Sequence, residues 1–156
     1  MTVLKTTLKI FIGLVLANSS LHAINIELGQ SIFEDFDGIG TSATASLPTG
    51  WKVDKSTSVR KVGTFAAAAQ VTEKSAGNDM AHNASNGIYN YGAGVAGSAS
   101  DRAVGFISSG SATKSGNLYV RLFNSGAEDI ESLIISYDVE KYRKGSNAEG
   151  FSIQLH

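Results

Sequence analysis

The chain of 156 residues contains no cysteine, one proline, one tryptophan and three histidines. Without cysteine there are no disulfides and no thiolate ligands, so the fold rests on packing alone. Histidine is almost as scarce where chemistry would need it. His22 lies in the leader-like N-terminus and His156 is the last residue, which leaves His82 in the body, inside "GNDMAHNASNG". A His- or Cys-based metal centre has too few ligands. A Ser-His-Asp nucleophile built on His82 lacks its third group and the strained turn that would present the serine. Long charge blocks are absent too, which excludes a nucleic-acid groove or a polybasic membrane patch.

What is present begins with "MTVLKTTLKIFIGLVLANSSLHA": a basic start at Lys5 and Lys9, an apolar run over 10–17, and a polar stretch to Ala23. That is the layout of a secretory signal peptide, with cleavage expected after Ala23. The apolar run is far short of the ~20 residues a membrane-spanning helix needs. Residues 24–156 then form one domain. Lys5 and Lys9 leave with the leader, so 11 basic residues face 14 acidic ones, a net charge of −3.

Beyond residue 23, short apolar alternations are separated by Gly, Ser, Asn and Asp, the pattern of an all-β chain. Strands are expected at 31–36, 50–55, 59–62, 87–91, 103–108, 117–124, 131–142 and 151–155. In "ESLIISYDVEKY", Leu133, Ile135, Tyr137 and Val139 share a face opposite Ser136, Asp138 and Glu140, as in an antiparallel sheet with one buried face. "TFAAAAQVTEK" stays unassigned, because its alanines suit a helix while Thr and Val do not. The expected fold is a jelly-roll-like antiparallel β-sandwich. The chain closes on "GFSIQLH" in strand-like alternation, which leads to the expectation that the polypeptide is truncated and lacks its last strand.

Four stretches, "FDGIGTSATASLPTGWKV" (36–53), "NGIYNYGAG" (86–94), "SDRAVGFISSGS" (100–111) and "GNLYVRLFNSGAEDIESLIISYDVEKYRKGSNAEGFSIQL" (116–155), carry a resemblance. Together they resemble the N-terminal β-sandwich of large multidomain secreted or surface-anchored proteins of Bacteroidetes-like bacteria, which end in C-terminal sorting signals. The resemblance implies an exported, non-catalytic module with further domains downstream as its partners. Members of that family continue past the position matching Leu155 with another strand, which this sequence lacks.

Candidate site residues fall into four groups. Trp51 either stacks on a glycan or caps the core, while Tyr89 and Tyr91 share a strand face by period-2 logic; with Tyr142 they make a carbohydrate-binding reading. Arg102 is expected to pair with Glu140 across strands, a structural ion pair fixing register. Asp35 with Asp37, and Asp138 with Glu140, sit two apart, roughly 6.5–7 Å on one strand face, a spacing that overlaps the glycosidase pair but is common on solvent-facing strands. Asp35, Asp37, Asp79 and Asp101 lie in oxygen-rich loops that could hold a structural calcium ion. No other cofactor is expected. The leading expectation is a structural or adhesive module rather than an enzyme, with a carbohydrate-binding module as the alternative.

Overall fold

A computed structural model describes residues 22–78, 80–81, 83–143 and 154–156. The described chain is all-β, with a single 3-10 turn at Asp37–Ile39 as its only helical element. Seven strands follow in order: β1 (Ile24–Ile26), β2 (Trp51–Ser56), β3 (Lys74–Ala76), β4 (Gly87–Gly92), β5 (Arg102–Ile107), β6 (Ser115–Val120) and β7 (Leu122–Asn124). They form three sheets, β1–β7, β2–β6 and β3–β4–β5. The β2–β6 and β4–β5 pairs are antiparallel, while β1–β7 and β3–β4 are parallel, so the sheets are not purely antiparallel as expected.

Four of the expected strands form, at β2, β4, β5 and over β6–β7, the last broken at Arg121. The break comes from backbone bonding. Arg121 donates its N–H to Gly50 O and accepts from Ile24 N, each at 2.8 Å, so the chain leaves β2 and joins β1 at that residue. β1 and β3, three residues each, are too short to show a period.

Residues 31–36 and 59–62 are not strands, and local side chains explain both. Glu34 accepts the Phe36 N–H at 2.8 Å and Asp35 accepts the Asp37 N–H at 3.0 Å, curling the backbone into the 3-10 turn with Phe36 at φ 63°. Carboxylates competing for nearby N–H groups are a standard strand breaker. Around 59–62, Arg60 adopts φ 55°, and Lys61 O accepts from Asn117 Nδ2 (2.9 Å) and Ser115 Oγ (3.2 Å) of β6. The loop is thus laid on β6 by side chains instead of a backbone ladder. Asp54 completes the arrangement: it accepts from Asn117 Nδ2 at 2.6 Å and Tyr119 OH at 2.7 Å, while Tyr119 OH accepts the Gly63 N–H at 2.8 Å. The unassigned alanine-rich stretch makes a turn near Thr64–Ala67 and then bridges back, Ala69 to Val53 and Val71 to Ser46.

The expected strand at 131–142 forms no ladder among the described residues. Of the expected strand at 151–155, residues 151–153 lie outside the described ones and Gln154 and Leu155 are not in a strand.

The core is small. Leu47, Val53 and Ile88 are buried together, and Trp51, Val104 and Phe106 pack against them. Gly116 lets the sheets approach, because a Cβ there would enter the Phe106 ring.

The beginning of β4 is clasped by Glu73. Its carboxylate takes the Lys55 ammonium at 2.5 Å and the Ile88 N–H at 3.3 Å. Burial raises its pKa, but the Lys55 bond, the Ile88 bond and the charges of Lys55 and Lys74 outweigh that and hold it below its ordinary value. A carboxylate lowered in the folded state stabilises the fold above its unfolded pKa and loses that contribution as pH falls through the folded value. Urea unfolding at pH 6 and pH 3 should therefore show an acid loss in the wild type that is reduced in Glu73→Gln. Both partners are partly exposed, so the difference should be at most about 1 kcal/mol.

Candidate functional site

The β3–β4–β5 sheet carries most of the residues singled out by sequence, on its two faces. Period-2 alternation places Ile88 and Asn90 on one face of β4 and Tyr89 and Tyr91 on the other. All six residues of β4 are buried, so both faces are covered.

On the first face lies a caged cation. Arg102 is 2% exposed and Asn90 is fully buried. The guanidinium donates from Nε to Asn90 Oδ1 at 2.9 Å and from Nη2 to Asn90 O at 3.1 Å. Nη1 donates to Ala96 O at 3.1 Å and Ala99 O at 3.3 Å, and Nη2 reaches Ser75 Oγ at 3.4 Å. Asn90 passes the connection on, its Nδ2 donating to Gly40 O (2.8 Å) and Ser42 O (3.0 Å). Asp37 Oδ1 accepts the backbone N–H of Arg102 at 2.8 Å, docking the 3-10 turn on the start of β5. Gly92, opposite Arg102 in register, leaves room for the side chain, since a Cβ there would overlap Nη1. Burial pulls the Arg102 pKa below its ordinary value, with Tyr142 acting in the opposite sense.

The partners of the Arg102 guanidinium are neutral, and the expected ion pair with Glu140 does not form. No ladder holds residue 140 opposite β5. Glu140 is exposed and instead accepts from Tyr142 OH.

On the second face three tyrosines stack. Tyr89 and Tyr91 rings lie 5.1 Å apart and 11° from parallel, and Tyr91 and Tyr142 lie 4.6 Å apart at 8°. Gly105 gives the Tyr91 ring its seat, for a Cβ there would stand 2.9 Å from the ring. Tyr89 is 4% and Tyr91 7% exposed; Tyr89 OH donates to Ser85 O at 2.6 Å. Burial, with Tyr89 and Tyr142 adding to it against Arg143, pushes the Tyr91 phenol well above its ordinary pKa. Burial and then the bond to Glu140, with the charges of Glu140 and Asp101, do the same for Tyr142 against Arg102. Tyr142, half-buried, ends the stack.

Trp51 stands apart from this stack. Its ring meets Phe36 edge-on, centroids 5.0 Å apart at 74°, and packs on the Leu47–Val53–Ile88 cluster. Its buried Nε1 has no hydrogen-bond partner among the described residues.

Beside the sheets runs an open trough of about 2500 Å³, lined among others by Trp51, Phe106, Leu118, Val120, Ile135 and Tyr142.

The carboxylates do not converge. Asp35 and Asp37 are spent on the turn and on Arg102, and Asp138 and Glu140 lie on an exposed segment. Among the described residues no three Asp, Glu or His side chains gather to hold a metal ion. Asp79 and His82 lie outside the described residues. No helix among the described residues is long and apolar enough to cross a membrane.

The residue that sequence reasoning missed is Asn90. Its signal is a polar residue between two tyrosines at the buried phase of "GIYNYG", where a lone amide needs a dedicated partner. Comparison with family models, with curated proteins and with solved structures finds no match to this chain.

Proposed function

We propose that the chain is a non-catalytic, exported β-sandwich module of a larger cell-surface or secreted protein, with a structural or adhesive role. The observation that supports this reading best is how the chemistry-bearing side chains are used. Arg102 and Asn90 tie three strands to two loops, and Tyr89 and Tyr91 fill a sheet face. These groups are consumed by packing rather than turned toward a substrate. The expected result on the native cell is that antibody to residues 24–156 labels intact cells and detects a polypeptide heavier than the 16.3 kDa of this chain. Labelling confined to lysed cells would overturn the reading.

Carbohydrate binding is the second reading, favoured by Tyr142, which ends the tyrosine stack half-exposed on the wall of the trough. Retention on insoluble polysaccharide, lost in Tyr142→Ala, would establish it. The structural reading expects no retention and no change in Trp51 fluorescence across a panel of soluble glycans.

A further inference from the structure

Residues 129–143 run without helix, turn or bend, and every residue from 131 to 141 is exposed, Ile134 at 96%. Among the described residues no backbone hydrogen bond reaches 131–142. An extended segment with open N–H and C=O groups and an apolar face is a template for another strand. The sequence of this one says which strand fits.

We propose that residues 131–141 pair antiparallel with the same residues of a second copy of the chain, about a two-fold axis through Ser136. In that register Glu131 faces Lys141 of the other copy, Leu133 faces Val139, and Ile135 faces Tyr137. One face thus presents four aliphatic–aliphatic or aliphatic–aromatic pairs, closed at both ends by an ion pair. On the other face Ser132 meets Glu140 and Ile134 meets Asp138. The apolar and opposite-charge pairs of the first face are of the types that stabilise sheets. The neighbouring registers lose the match. A slip of two residues sets either Leu133 against Lys141 or Glu131 against Val139, and a slip of one turns the apolar face outward. Such an interface is isologous and closes at two copies.

The absence of cysteine makes the register directly testable. Ser136→Cys introduces a single thiol whose only possible partner is its own symmetry mate. Directly opposed residues of an antiparallel pair lie about 4.5–5.5 Å apart at Cα, inside the range a disulfide spans. Ser132→Cys is the control, because its symmetry mate would be eight residues away, roughly 27 Å. The expected results are a dimer by sedimentation equilibrium of the purified protein and rapid oxidative crosslinking of Ser136→Cys but not of Ser132→Cys. Lys141→Glu should weaken the dimer about tenfold by placing like charges at both ends, and Glu131→Lys added to it should restore affinity. All four side chains are exposed, and circular dichroism checks that each variant is folded. A monomer at every concentration, as when another segment or a different protein covers the strand, would overturn the proposal. So would a dimer indifferent to the charge reversal, or one in which the two cysteine variants crosslink alike.

Discussion

Arg102→Ala is expected to lower unfolding stability by about 3–5 kcal/mol, the sum of a few lost charge-assisted hydrogen bonds at about 1.5–3 kcal/mol each less relaxation, and a large share of the ~5–15 kcal/mol that a domain possesses. The loss has two sources. Carbonyls of Asn90, Ala96 and Ala99 and the amide oxygen of Asn90 lose their donor inside the protein, and each buried acceptor left alone costs about 1–3 kcal/mol before relaxation or entering water reduces it. The segment carrying Ala96 and Ala99 also loses its tie to the sheet. Arg102→Lys should recover less than half of the loss, because one ammonium cannot reach acceptors set around a planar fork. Asn90→Ala should be costly for the same reason, and the double variant should lose less than the sum of the two. A coupling of about 0.5–3 kcal/mol is typical of residues sharing one network. Urea unfolding of the four variants beside the wild type measures all of this. A loss below 1 kcal/mol for Arg102→Ala would mean that the cage is open to water and contributes little.

The same residue shows how far the sequence could be read. A lone arginine in "SDRAVG" suggests a carboxylate partner, since burial of an unpaired charge is expensive. The actual solution uses an amide, three carbonyls and a hydroxyl, contributed by residues spread from 75 to 99. Which loops fold over a strand is a matter of tertiary geometry that period-2 alternation does not carry. Alternation did locate β2, β4, β5 and β6, because each has a face committed to packing. It failed at 31–36, where the alternation is real but Glu34 and Asp35 take the backbone N–H groups. It also placed Tyr89 and Tyr91 on one face correctly. What the alternation does not carry is that Tyr142, 51 positions after Tyr91, stacks on the Tyr91 ring, which is buried.

Tyr91→Ala is the second large effect, about 3–5 kcal/mol, the usual cost of deleting a buried aromatic ring. Tyr91 lies between two parallel rings and over the bare backbone of Gly105, so its removal leaves a gap between Tyr89 and Tyr142. Two stacked contacts go with the ring, each worth about 0.5–1.5 kcal/mol beyond area burial. Tyr91→Phe separates ring from hydroxyl. No hydrogen bond to the Tyr91 hydroxyl exists among the described residues, so this variant should stay within about 1 kcal/mol of wild type. Tyr142→Ala should cost less than Tyr91→Ala, because Tyr142 has a stacked neighbour on one side only and is half-exposed. The order of the three values bears on function as well as on stability. A scaffold stack gives Tyr91→Ala the largest loss, Tyr142→Ala a smaller one and Tyr91→Phe almost none. A glycan platform would instead give Tyr142→Ala little effect on unfolding and a clear loss of polysaccharide retention. Thermal or urea unfolding beside a retention assay on the same three variants therefore tells a tyrosine stack that holds the sheet from one that also receives a sugar.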